Sequence, residues 1–451
     1  MHRQPQYTMM HRFFYSPGRI EHAEVRLLCI LAIVTFVAVS LCGADSTFVD
    51  SLSSAGKLGI PVQQAKDIES RLGQLFIVNV DGFGYGGPLA LEPEFAPMIA
   101  QLQVGGVIPH YGSTSYERIR RTNHALKKLT RPPLLVCADI VKIKGAGVVG
   151  TFGDGYVGGF LGRFKRLPDS ELEALARLNA FGFAAMGINV VLGPTVDTST
   201  ADPRTPDRAR LVISALKEFG LEPVIKHFPY LPARANLHRQ SPDTLVPPDE
   251  VQRRFAVFHE LEDEAGIMMT THLYDSLVDP RIVTFSSAWN RLLRSGTGFT
   301  GLLMSDGLLM LRNYADTKML SIIPGDPDAP GIDRTSSWAL RAILAGHDFI
   351  IVEGSAALTS RTFQGLLAIA CSGTPLGREL RERIQESYGK IERWKQEHEA
   401  SLSREIDVPA DVITTVVQAL PTDSADLNTF RFDARALAGL EPALVKAKPR
   451  P

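Results

Sequence analysis

Two segments of this chain run from apolar residues straight into residues that can do chemistry. Gly301-Leu302-Leu303-Met304-Ser305-Asp306-Gly307 ends in an acid and a glycine before an apolar run resumes. That is the pattern of a fully buried parallel strand closing on a reactive carboxylate. Val224-Ile225-Lys226-His227-Phe228-Pro229 has the same shape earlier in the chain. A carboxylate held at a strand end can attack an electrophilic carbon. A lysine that closes an apolar strand is costly to bury unless it has a partner or a task. Asp139 and His272 close two further apolar runs, Leu134–Asp139 and Ile267–His272. Asp306 also has a bland reading, as a helix cap or salt-bridge partner, and so does the Lys226–His227 pair, as a structural ion pair.

Such side chains need a frame that brings strand ends together. Eight short apolar runs follow the leader: Gln74–Val80, Gly106–Pro109, Leu134–Asp139, Ile188–Leu192, Pro223–His227, Ile267–His272, Gly301–Asp306 and His347–Val352. Most are continuous, not alternating, as in strands covered on both faces. Helical patterns fill the gaps at Tyr116–Leu129, Asp169–Met186, Arg208–Phe219, Asp249–Ala265, Ser286–Arg294 and Ser336–Leu344. Pro168-Asp169-Ser170-Glu171 is a helix start, and Gly187, Gly220 and Gly266 are stops. Repeated strand–helix alternation predicts an α/β fold, a (β/α)8 TIM barrel. A doubly wound open sheet is the alternative, but Gly82-Phe83-Gly84-Tyr85-Gly86-Gly87 lacks the helix opening that a phosphate turn requires. Lys144–Gly162 and Asn313–Arg334 read as long loops after the third and seventh strands, where barrels carry their binding loops. The expected organisation is a targeting segment at 1–44, a barrel at 56–400 and a C-terminal extension at 401–451.

Composition narrows the function. Hydrophobic residues make up 45% and charged residues 22%, the balance of an ordinary folded protein. The net charge of −1, with no basic tract interleaved with aromatics, argues against nucleic acid as a partner. The cysteines Cys29, Cys42, Cys137 and Cys371 include no C-x-x-C spacing, so neither a zinc nor a redox site is expected. Cys137 and Cys371 read as buried thiols. Arg3, Arg12, Arg19 and Arg26 precede the apolar run Leu27–Cys42, which suits a signal peptide or membrane anchor. Cleavage after Ala44, lipidation of Cys42 and an uncleaved anchor remain open. All three place the folded part outside the cytoplasm, in the periplasm or on the outer side of a membrane.

The order of several motifs resembles a known family. Gly73-Gln74-Leu75-Phe76-Ile77-Val78, Val104-Gly105-Gly106-Val107-Ile108, Lys226-His227-Phe228-Pro229, Met269-Thr270-Thr271-His272, Arg291-Leu292-Leu293-Arg294, Met304-Ser305-Asp306 and Ala345-Gly346-His347-Asp348 follow one another in that order. Together they are similar to the N-terminal barrel domain of family 3 glycoside hydrolases, nearest to its β-N-acetylglucosaminidase (β-N-acetylhexosaminidase) branch. The likeness runs from about Ile60 to Ala400.

The resemblance implies retaining exo-hydrolysis without a metal or other cofactor, on a small saccharide or cell-wall glycan fragment. Asp306 would be the nucleophile, and Asp139, Arg204, Lys226 and His227 would bind sugar hydroxyls. His272, at the end of the sixth run, would face the same pocket. The branch places its acid/base histidine on the loop after Lys-His-Phe-Pro, with an aspartate two residues before it. Here His238 falls within one residue of that place, Asn236 occupies the aspartate's place, and Tyr230-Leu231-Pro232 stands where the family has Gly-His-Gly. Asparagine can orient an imidazole but cannot stabilise imidazolium by charge. Ile140-Val141-Lys142-Ile143-Lys144 likewise replaces the family's Glu-Gly-Gly-Arg-Val. A saccharide-binding protein without turnover, on the same barrel, is therefore the competing expectation.

Overall fold

A computed structural model describes residues 47–80, 94–110, 115–145, 148–153, 168–197, 203–230, 248–274, 278–314 and 332–406. Residues 1–46 with Cys29 and Cys42, residues 231–247 with Asn236 and His238, and residues 407–451 lie outside the described residues. The chain divides into two compact units, Met1–Ser51 and Leu52–Pro451. In the first, Thr47 and Asp50 cap each other: Thr47 N–H donates to Asp50 Oδ2 at 2.8 Å, and Asp50 N–H to Thr47 Oγ1 at 3.3 Å.

The second unit is a closed parallel barrel. Its strands are β1 (Phe76–Asn79), β2 (Gly106–Ile108), β3 (Leu135–Ala138), β6 (Val190–Val191), β7 (Glu222–Phe228), β8 (Ile267–Thr270), β9 (Leu302–Gly307) and β10 (Phe349–Val352). They close in the order β1-β10-β9-β8-β7-β6-β3-β2, every pair parallel. All eight predicted apolar runs are barrel strands, and the closed ring excludes the open-sheet alternative. The reason is burial on both faces, which removes any need for polar alternation.

The numbers left out of the barrel belong to a hairpin. β4 (Ile140–Gly145) and β5 (Val148–Gly153) pair antiparallel, Ile140 opposite Gly153 and Gly145 opposite Val148. This corrects the expectation of an irregular loop after the third strand. Val141 and Ile143 alternate with Lys142 and Lys144, which is a strand pattern.

The predicted helices form at α4 (Tyr116–Lys127), α5 (Asp169–Ala185), α6 (Thr205–Glu218), α7 (Pro248–Glu260), α8 (Ser287–Thr297) and α9 (Arg334–Ala345), after α1 (Phe48–Ser54), α2 (Val62–Leu72) and α3 (Phe95–Leu102). Their ends follow capping chemistry. Ser286 Oγ accepts Trp289 N–H at 3.1 Å to open α8, and Gly298 closes it at φ +89°. Two further helices, α10 (Ala356–Ala370) and α11 (Pro375–Glu397), pack against α2 and α9, and α12 (Glu399–Leu402) follows. Cys137 and Cys371 are buried free thiols, as expected. No helix among the described residues is long and apolar enough to cross a membrane.

Two buried polar devices hold the barrel. Lys395 of α11 donates from Nζ to Gln74 Oε1 at 2.9 Å and to Gly105 O at 2.8 Å. Gln74 and Gly105 precede β1 and β2, so this ammonium closes the end of the barrel where those strands begin. Burial pushes its pKa down to about 7, against the nearby Cys137. At β10, Asp348 accepts Leu303 N–H at 3.0 Å and the Ser387 hydroxyl at 2.9 Å, tying β9 and α11 to the start of β10.

Candidate active site

The ends of the strands gather a ring of polar side chains. Asn79 ends β1, His110 follows β2, Asp139 follows β3, and Asp197 follows β6. Lys226 and His227 belong to β7, His272 follows β8, Asp306 lies in β9, and Glu353 directly follows β10. Every barrel strand therefore contributes, at the end where such folds carry their chemistry.

β7 supplies two consecutive groups. Its register with β8 shifts between Lys226 and Phe228, and such a bulge re-aims side chains. The Lys226–His227 peptide is cis. Lys226 Nζ meets Asp139 Oδ1 at 2.6 Å. His227 Nδ1 lies 3.1 Å from Asp197 Oδ2. Burial lowers the His227 pKa, but the Asp197 charge and hydrogen bond, with Asp306 adding, outweigh burial and Lys226 and raise it overall. The protonated imidazole is thus favoured, which adds positive charge beside Asp306.

Asp306 sits where the sequence places it, at the end of β9. Burial acts to raise its pKa. His227, His272, the Gly307 N–H and Lys226 act the other way and hold it below the ordinary aspartate value. The Gly307 N–H donates to Asp306 Oδ1 at 2.8 Å and orients the carboxylate. Asp306 is therefore an anion at neutral pH, ready to act as a nucleophile or to stabilise a nearby positive charge.

His272 is fully buried, with both ring nitrogens engaged. Its Nε2 donates to Gly307 O at 2.8 Å, and its Nδ1 meets the Thr284 hydroxyl at 2.6 Å. This fixes the turn after Asp306. His347 of the Ala-Gly-His-Asp motif is likewise structural. Its Nδ1 donates to Ala342 O at 3.0 Å and its Nε2 accepts from the Thr270 hydroxyl at 2.8 Å. Burial brings its pKa down to about 3, so it stays neutral. Arg204 is exposed at the N-cap of α6.

Four members of the ring, Asn79, His110, Asp197 and Glu353, were not anticipated. The Asn79 amide donates to His110 Nε2 at 2.8 Å, and burial lowers the His110 pKa while Asp139 opposes the shift. Asp197 is buried and orients His227. Glu353 is half-buried against Gly307. Among the described residues, no group of three or more His, Cys, Asp or Glu side chains could hold a metal ion.

The family model for the glycosyl hydrolase family 3 N-terminal domain matches residues 67–391. The chain belongs to glycosyl hydrolase family 3. The matched span includes the whole barrel of this family 3 chain, from β1 to β10. A β-hexosaminidase of Alkalilimnicola ehrlichii is 28% identical over 252 residues, covering 49% of this chain and 70% of that protein. Solved structures show the same fold. A fungal multi-domain family 3 β-N-acetylglucosaminidase superposes with a TM-score of 0.61 at 17% identity, covering 78% of this chain and 42% of that one. A β-N-acetylhexosaminidase of Beutenbergia cavernae gives 0.56 at 20% identity, covering 73% of this chain and 98% of that one.

Proposed function

We propose that this family 3 protein is a retaining exo-glycosidase that releases β-linked N-acetylglucosamine through a covalent glycosyl-aspartate. The observation that carries the reading is Asp306: an anion at a strand end, oriented by the Gly307 N–H, among Lys226, His227 and His272. Its carboxylate would attack the anomeric carbon as the glycosidic bond breaks, and water would then release the sugar with retention. Lys226, Asp139 and His227 offer donors and acceptors suited to sugar hydroxyls. In the family's pattern the proton comes from the loop of His238, with Asn236 beside it. The preference for N-acetylglucosamine is supported by the names of the β-hexosaminidase and β-N-acetylglucosaminidase relatives.

The experiment is turnover of an aryl β-N-acetylglucosaminide by the purified chain, with Asp306→Ala as control. Hydrolysis by the parent and not by the variant, with a sugar-mass adduct on Asp306 in samples quenched during turnover, supports the reading. Absence of hydrolysis across a broad panel of aryl glycosides sinks it. A second reading is favoured by Asn236 standing where the branch has an aspartate: a saccharide-binding protein on the same barrel. Calorimetric binding of a saccharide without turnover would establish that one. We also propose that Arg26 and the apolar run after it direct export. N-terminal sequencing and fractionation of the natural protein test this, and recovery from the cytoplasm with an intact leader overturns it.

A further inference from the structure

We propose that Glu353 is the proton carrier of this site, the carboxyl that protonates the departing oxygen and then takes a proton from water. The inference rests on the hydrolytic reading above and assigns its acid/base to a residue outside the loop of His238.

Glu353 directly follows β10, the strand hydrogen-bonded to β9. The two strands pair out of regular step: Phe349 faces Met304, but Ile351 faces Gly307. Ser305 fills the gap. Its hydroxyl accepts Ile351 N–H at 3.1 Å and donates to the Asp306 carbonyl at 2.8 Å. The irregularity brings the end of β10 level with the turn after Asp306. There Glu353 Oε2 accepts Leu309 N–H at 3.0 Å. A Cβ built on Gly307 would stand 2.6 Å from the Glu353 carboxyl carbon, so the carboxyl lies against the glycine next to Asp306. The side chain remains partly exposed to solvent.

Two carboxyls that meet one glycine, Asp306 accepting the Gly307 N–H and Glu353 lying where a Gly307 side chain would stand, do not share one protonation state. Behind Asp306 stand Lys226 and His227 of β7 and His272 after β8, all of which favour its anion. Glu353 is raised first by burial and then by the charge of Asp306. The Leu309 and Met310 N–H groups and the Arg312 guanidinium, from the turn after β9, oppose this, and its pKa is pushed up to about 7. Carboxyls driven apart in this way are a nucleophile and an acid in waiting.

The same coupling resets the acid. In the first step an Asp306 oxygen bonds to the anomeric carbon, the bond to the leaving oxygen breaks, and the Glu353 proton passes to that oxygen. Asp306 is then a neutral ester, so the charge that raised Glu353 is gone and its pKa falls. The Glu353 carboxylate is now a base. In the second step the oxygen of water bonds to the anomeric carbon, its proton goes to Glu353, and the bond to Asp306 breaks. The restored Asp306 anion raises Glu353 again. Charge on the nucleophile thus switches its neighbour between acid and base in each turnover.

The test compares the full chain with Glu353→Gln, Glu353→Asp and His238→Ala on two aryl N-acetylglucosaminides, one with an acidic phenol and one with a poor leaving group. Glutamine keeps the acceptor for Leu309 N–H, and circular dichroism confirms folding. Glu353→Gln is expected to lower kcat/KM on the poor leaving group by about 100-fold to 10,000-fold. It should act far more mildly on the activated substrate and remove the fall in rate above about pH 7. Azide should restore turnover of the activated substrate, and Glu353→Asp should be intermediate. Equal losses on both substrates, a retained basic limb, or the whole pattern appearing in His238→Ala and not in Glu353→Gln overturns the proposal. Infrared difference spectra give a readout without turnover: a protonated carboxyl band titrating near neutral pH and absent from Glu353→Gln. If that band is missing, this inference fails even where hydrolysis is brisk. If the parent hydrolyses no glycoside, the hydrolytic reading fails and this role falls with it.

Discussion

Lys226 Nζ lies 2.6 Å from Asp139 Oδ1, an ion pair that spans the intervening strand β6. The partners are unequal, since the Lys226 side chain is 6% exposed and that of Asp139 39%. Removing the exposed partner takes a counter-charge from a buried ammonium, whereas removing the buried partner leaves a carboxylate that water can reach. Asp139→Ala should therefore destabilise the protein more than Lys226→Met, by about 1–3 kcal/mol against less than about 1, below a fully buried pair because Asp139 is screened. Both should raise KM for the saccharide. Urea melts and saturation kinetics check this, and equal destabilisation by the two variants would contradict the burial argument.

Asp306→Ala should lower turnover by on the order of 10,000-fold or more with little change in saccharide affinity, because a nucleophile acts after binding. Alanine is the better choice, since an asparagine before Gly307 would deamidate back to an acid. Calorimetry beside steady-state assays separates the two effects. A variant that loses binding and turnover in proportion would make Asp306 a binding residue.

Gly307→Ala places its new methyl 2.6 Å from the Glu353 carboxyl carbon. The clash is with the end of a flexible side chain, so the barrel should fold while the carboxyl is displaced. The expected result is a near-parental melting temperature with kcat reduced and the basic limb of the pH profile moved. A parental pH profile would show that the carboxyl does not need this place.

Stability should depend on pH with two opposite signs. Glu353 has a folded pKa raised from 4.5 to about 7, so the folded state holds more protons across that window. Its contribution is fully present below about pH 4.5 and is lost as pH rises to about 7, and Glu353→Gln should flatten this slope. Lys395 has a folded pKa lowered from 10.5 to about 7, so the unfolded state holds more protons there. Its contribution is present above about pH 10.5 and is lost as pH falls to about 7, and Lys395→Met should flatten that slope without touching the strand-end ring. Each slope is about 1.4 kcal/mol per pH unit at most. Chemical denaturation from mildly acidic to alkaline pH measures both.

Much of the site could be read from strand ends alone. Asp306, Lys226, His227, Asp139 and His272 each close a run of buried residues, and each lies in the ring. Glu353-Gly354 repeats the pattern of Asp306-Gly307 after an apolar run, so the signal for Glu353 was present but competed with the Ala-Gly-His-Asp motif just before it. Asp197 and His110 carry no comparable signal, because Pro194 and Pro109 interrupt the runs that precede them. The hairpin Ile140–Gly153 was hidden by its glycines, although Val141 and Ile143 alternate with lysines.

The order of strands and helices, and which residue stands at each strand end, is written in the chain itself. A strand covered on both faces must be continuously apolar, and the first polar residue after it marks where cover ends. Which ends face one another was decided only by closure of the ring. Closure sets Lys226 against Asp139 across one strand and Glu353, just after β10, against Gly307 next to Asp306. It also decided charge. Asp306 and Glu353 follow similar apolar runs, yet one is held below its ordinary pKa and the other raised to about 7. Protonation depends on burial and on charges brought close from distant parts of the chain, and no local pattern carries that.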